Sequence, residues 1–123
     1  RVDRRQRQMC IRDSSQYTHY PRPQDSGNHE DVTEVTLTNK EGKGIRVTAI
    51  DRPFSFSALY YTVDDIYKAT HDCDLKPRKE VILSLDAAVL GLGNSSCGPG
   101  VLKKYAIDKQ KSHTLRVRFS LIK

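Results

Sequence analysis

The sequence runs to 123 residues, with 21 Lys and Arg against 15 Asp and Glu, a formal net charge of +6, and 37% hydrophobic residues. That length suits one small domain or a piece of a larger one, and no apolar run approaches the roughly 18–20 residues of a membrane-spanning helix. Cys10, Cys73 and Cys97 are too few for a disulfide scaffold and fit no zinc-ligand spacing.

Half of the net charge lies in about a tenth of the chain. Residues 1–14 hold Arg1, Arg4, Arg5, Arg7 and Arg12 against Asp3 and Asp13, a net of +3, and the other 109 residues carry the remaining +3. An arginine-rich arm could grip phosphates, and a flexible basic tail is the plain alternative. A third reading fits the residues better. Residues 4–13, Arg-Arg-Gln-Arg-Gln-Met-Cys-Ile-Arg-Asp, resemble the in-frame translation of a transposase mosaic-end sequencing adapter, with Ser14 following from its trailing bases. Residues 1–14 are then a non-native, disordered segment, set aside as a fusion scar is. The polypeptide proper is expected to span 15–123 and to continue upstream.

Short alternating segments follow. Residues 17–24 contain Pro21 and Pro23 and predict an extended loop or edge. Residues 25–28, Asp-Ser-Gly-Asn, are turn chemistry. Over 31–38, Val35 and Leu37 alternate with polar neighbours, the pattern of a half-buried strand. Residues 39–44 predict a hairpin loop with Gly42 and Gly44 supplying positive φ, and Ile45, Val47 and Ala49 mark the return strand. Alternation resumes over 54–59 after Pro53. Thr62 and Asp65 resemble a capping box that opens a short helix to about Thr70, with Val63, Ile66, Tyr67 and Thr70 on one face. Val81, Leu83 and Leu85 predict another strand, and Leu115, Val117, Phe119 and Leu121 the last. Many short strands and one brief helix imply an all-β, antiparallel β-sandwich or part of one.

Between those last strands lies a glycine-rich loop, residues 91–100, Gly-Leu-Gly-Asn-Ser-Ser-Cys-Gly-Pro-Gly. It lacks the Lys and following helix of a P-loop and the third glycine of a dinucleotide fingerprint. It is either a long connection or a ligand-lining loop. His71-Asp72-Cys73-Asp74 brings ligand-type atoms together without completing a tetrahedral metal site. The Asp64/Asp65 and Asp72/Asp74 pairs read as helix-start and cap residues rather than acid–base groups. Ser95, Ser96 and Cys97 lie on no Gly-x-Ser-x-Gly elbow. Beyond residue 14 the basic residues are scattered among acidic ones, so nucleic acid is not an expected partner.

Three stretches in order carry a family resemblance. They are Tyr20-Pro21-Arg22-Pro23-Gln24-Asp25-Ser26-Gly27-Asn28, Pro53-Phe54-Ser55-Phe56-Ser57-Ala58 with the helix that follows, and Leu83-Ser84-Leu85-Asp86 leading into the glycine-rich loop. Together they resemble the C-terminal β-sandwich domain, or small-chain region, of the glycoside hydrolase family 2 β-galactosidases. The likeness covers residues 17–123.

The resemblance implies part of a larger, galactose mutarotase-like supersandwich in a retaining enzyme that hydrolyses terminal β-D-galactose from β-galactosides. Its two catalytic Glu residues, and a divalent metal (typically Mg), belong to a (β/α)8 barrel. This segment is therefore expected to hold no catalytic residue, metal or cofactor and to be inactive alone. Its implied partners are the β-galactoside, the remaining domains of the enzyme and further copies in a homo-oligomer, with no nucleic acid and no membrane. In related enzymes the glycine-rich loop carries a Trp against the sugar. Matching Gly91-Leu92-Gly93 and Ser96-Cys97-Gly98-Pro99 places Cys97 at that position, in a loop one residue shorter. The substrate-binding loop is thus expected to be Gly93, Asn94, Ser95, Ser96, Cys97 and Gly98, its polar members available to sugar hydroxyls. The alternative is a non-catalytic β-sandwich carbohydrate-binding module, which needs an exposed aromatic platform.

Overall fold

The computed structural model describes residues 7–11, 17–24, 26–90, 100–103, 106–108 and 110–123. The chain is all-β with one short helix, as the alternation implies. Strands β1 (Arg7–Ile11), β2 (His29–Thr38), β3 (Gly44–Ala49), β4 (Phe54–Leu59), β5 (Ile82–Asp86) and β6 (Val117–Ile122) form one sheet, with helix α1 (Val63–Lys68) and a 3-10 turn (Asp72–Asp74) between β4 and β5. The sheet order is β5-β4-β2-β3-β6, antiparallel throughout, and β1 alone runs parallel beside β2.

The β2–β3 hairpin forms where the glycines predicted it, but the two glycines act differently. Gly42 takes φ +83°, and the Asn39 carboxamide accepts from the Glu41 and Lys43 amides at 2.9 and 3.0 Å, closing the loop. Gly44 has no positive φ and opens β3 instead. A Cβ there would strike the Leu37 carbonyl and lie 2.9 Å from Thr38 Cα, so the absent side chain permits close strand approach.

Strand β2 carries two extra residues. It advances from His29 to Val32 while β4 steps only from Phe56 to Phe54, with Asp31 at φ 56°. It bulges again between Val32 and Glu34, opposite Arg7 and Gln8. Each insertion flips the side-chain alternation once, so residues spaced by three reach the same face. Val32 and Val35 are consequently buried beside Val47, Phe54, Phe56 and Ala58, and His29 stacks on Phe56 at 5.0 Å. Leu83, Leu85, Leu115 and Val117 flank this core.

Leu59 is out of phase with that face and anchors a second cluster with Tyr61, Ile66 and Leu75, packed by Tyr17 and Ala69. The capping box is present: the Asp65 amide donates to Thr62 Oγ1 at 3.1 Å and the Thr62 amide to Asp65 Oδ2 at 2.8 Å. The helical face differs from the expected one. Ile66 is buried, but Val63 and Tyr67 are 75% and 87% exposed, and the helix stops at Lys68. Residues four apart lie about 40° apart on a helix, so Val63 and Tyr67 share one stripe while Ile66, with Ala69 just past the helix end, makes the inward contact.

Within residues 1–14, Arg7–Ile11 forms strand β1. Strand β3 occupies one edge of β2 over Glu34–Thr38, and β4 reaches only His29 and Val32 on the other. The rest of that second edge offers free amides and carbonyls, and β1 pairs there over Val32 to Leu37.

Candidate functional site

The expected sugar loop, Gly93, Asn94, Ser95, Ser96, Cys97 and Gly98, lies outside the described residues. Its approaches are described. The chain leaves β5 at Asp86 through exposed residues 87–90 and returns through residues 112–116 into β6. Both approaches meet the β3–β4 turn at a small cleft of about 70 Å³, lined by Asp51, Arg52, Pro53, Ala87 and residues 112–116. There the Ile50 amide donates to the Arg116 carbonyl at 3.1 Å, and Arg116 Nε donates to Asp51 Oδ2 at 2.6 Å. Beside it, a wider open groove of about 430 Å³ runs over Thr33, Glu34 and Thr48 to the same turn. The β3–β4 turn thus fastens the segment that leads into β6.

The remaining candidate groups are occupied structurally. Asp65 receives Nε and Nη2 of Arg78 at 2.6 and 2.9 Å besides its cap bonds. The Arg78 guanidinium first, and the Thr62 bonds next, hold its carboxyl well below the usual carboxylate range. A carboxylate so stabilised is a poor proton donor at neutral pH. Asp64 pairs with Lys68 Nζ at 2.7 Å, which raises the lysine's proton affinity. In the 71–74 segment, Asp72 bonds His19 Nδ1 at 2.7 Å and Asp74 Oδ2 accepts the His71 amide at 2.9 Å. Cys73 is an exposed free thiol. Among the described residues no group of three or more His, Cys, Asp or Glu could hold a metal ion.

One feature escaped the sequence reading. Tyr67 stands 87% exposed beside an open groove of about 410 Å³ whose walls include Arg22, Pro23, Gln24 and Ile66. Helical spacing alone put Tyr67 on the buried face. Only the register of Ile66 against Leu59 and Leu75 turns it outward.

With the fold in place, the family follows from sequence comparison. A model described as "Beta galactosidase small chain" matches residues 12–121. The chain belongs to the β-galactosidase small-chain family. Among relatives, "Beta-galactosidase" of Staphylococcus xylosus is 34% identical over 89 residues, covering 72% of this chain and 9% of that protein. "Beta-galactosidase" of Kluyveromyces lactis is 34% identical over 92 residues, with 74% and 9% covered. "Beta-galactosidase small subunit" of Latilactobacillus sakei is 33% identical over 102 residues, with 74% and 32% covered. This small-chain member therefore spans about a tenth of the length of the first two relatives and about a third of the small subunit.

Proposed function

We propose that the chain is a C-terminal portion of the β-sandwich domain of a retaining β-galactosidase of glycoside hydrolase family 2. The observation that carries this reading is the small-chain match across residues 12–121, joined to relatives named β-galactosidase. Its role is to scaffold the catalytic barrel and to lend the 93–98 loop to the sugar pocket. The reaction needs two carboxyl groups about 5–5.5 Å apart, one protonating the leaving oxygen and one attacking the anomeric carbon. Those groups, with the barrel's divalent metal, belong to the rest of the enzyme, and the chain alone has no activity.

At the loop, Asn94, Ser95 and Ser96 donate to and accept from galactose hydroxyls. Cys97 offers no aromatic face, so sugar contact there is a hydrogen-bonded rather than a stacked one. The Asp51–Arg116 pair fastens the segment entering β6 to the turn at Asp51–Pro53. The test is a chimera in which this chain replaces the matched stretch of the Staphylococcus xylosus enzyme. In it, Cys97→Ala changes KM for a β-galactoside severalfold with kcat little altered. Unchanged KM and kcat would remove the loop from the sugar site.

A second reading, a non-catalytic carbohydrate-binding module, draws on Tyr67, the exposed aromatic beside the Arg22 and Gln24 groove. Titration of the isolated chain with galactose and lactose separates the two. Saturable binding lost in Tyr67→Ala favours the module, and no binding favours the enzyme fragment.

A further inference from the structure

Past Val117, which packs against the core, strand β6 carries an apolar face that no described residue covers. Its partner β3 contributes Val47, fully buried, directly across from Phe119, which is 60% exposed. Two pairs further along, Ile45 faces Leu121, which is 79% exposed. Directly opposed residues of an antiparallel pair share a face, so the core running through Val35 and Val47 continues onto Phe119 and Leu121 and emerges into solvent.

The backbone of β6 is also open. Among the described residues it pairs with β3 alone, and no described strand takes up its outer row of amides and carbonyls. Soluble proteins blunt such edges with Pro, bulges, short strands or inward-pointing charges. β6 has six residues, no Pro, and one charge, Arg118, on the opposite face from Phe119. Arg118 makes no ion pair among the described residues, whereas its neighbours Arg46 and Arg116 are matched by Glu34 and Asp51. An edge that is apolar on one face and carries Arg118 on the other is complementary to a strand alternating apolar with acidic residues.

We infer that β6 is the seam between this chain and the rest of its β-galactosidase. An extended segment of that polypeptide pairs with the outer edge of β6, lays apolar side chains over Phe119 and Leu121, and sets a carboxylate opposite Arg118. The inference rests on the reading of the chain as part of a larger enzyme. That reading supplies the occupant, because about nine tenths of the Staphylococcus xylosus and Kluyveromyces lactis relatives lies outside the matched stretch. The edge at β5 is a weaker candidate, since Leu83 and Leu85 are already packed against the core.

Carbene footprinting of the isolated chain and of the chimera tests this seam. Phe119 and Leu121 are labelled in the isolated chain and protected at least severalfold in the chimera, with Phe56 unlabelled in both. Labelling of Phe119 and Leu121 in a chimera whose Phe56 is protected overturns the inference. Protection that grows with the concentration of the isolated chain also overturns it, because the occupant is then a second copy.

Footprints are read whether or not the chimera turns over substrate. A protected β6 in an inactive chimera contradicts the enzymatic reading and leaves the seam standing. Co-purification gives an independent measure that needs no chimera. The isolated chain is retained by the Staphylococcus xylosus enzyme lacking its matched stretch, and the variant carrying Phe119→Glu and Leu121→Glu is lost. Equal retention of the two, or retention of neither, rejects the seam.

Discussion

Phe56 and Phe119 are chemically identical residues in one sheet, and truncating each to Ala separates the core from its open margin. Phe56 is fully buried against Val32, Val35 and Leu85 and stacks on His29, so Phe56→Ala leaves a cavity with packed walls. The cost is about 3–5 kcal/mol, transfer and cavity contributions together. Phe119 is 60% exposed, so only two fifths of its surface is covered. Scaling the roughly 1.5–3 kcal/mol for burying a whole Phe gives about 1 kcal/mol for Phe119→Ala. The gap of about 3 kcal/mol is more than a hundredfold in the folding equilibrium.

Urea denaturation of the isolated chain, followed by far-ultraviolet circular dichroism, measures both variants at a common m value. Because the larger loss approaches the total stability of a small domain, Phe56→Leu provides a variant that stays folded. It is expected to cost less than Phe56→Ala and still more than Phe119→Ala. Equal losses for Phe56→Ala and Phe119→Ala would refute the assignment of a closed core ending at β6.

Other outcomes follow from local geometry. Gly44→Ala drives a Cβ into the Leu37 carbonyl and is expected to cost about 3 kcal/mol in urea denaturation, at the upper end of overpacking. Gly42→Ala has open space and only its left-handed backbone to strain, for about 1–2 kcal/mol; the reverse ranking would contradict the hairpin register. Thr62→Ala removes the cap acceptor and should cost about 1 kcal/mol, with Thr62→Ser nearly silent. Asp65 has a lowered folded-state pKa, so its contribution is full above the ordinary value of 3.8 and is lost as pH falls below it. Denaturation midpoints are therefore expected to drop below pH 4 in the native chain and to drop less in Arg78→Gln. A parallel decline in both would remove Arg78 from that account.

Local chemistry made some elements readable. Asn39, Gly42 and the alternation on either side specify the β2–β3 hairpin, and Phe54, Phe56 and Ala58 report the buried face of β4 by parity alone. Features set by pairing between distant segments were not readable. The two bulges of β2 leave no mark in composition, yet they decide that Val32 joins Val35 in the core. Gly44 reads like a turn residue because its role depends on the approach of Leu37 across the hairpin. Tyr67 follows the helical period, but a helix of six residues can turn only one narrow stripe inward, and Ile66 takes it. At β6 the alternation marks which side chains share a face and says nothing of what covers them. For the candidate site, the family resemblance named the loop, while the Asp51–Arg116 pair that ties the approach to β6 to the β3–β4 turn emerged only from the fold.

The most direct measurement of the central claim compares three proteins for hydrolysis of a β-galactoside. They are the Staphylococcus xylosus enzyme, the same enzyme with its matched stretch deleted, and the chimera carrying this chain there. The account expects the deletion to be inactive and the chimera to recover turnover that the isolated chain lacks. A chimera that folds, with Phe56 protected, and hydrolyses no more than the deletion would contradict it.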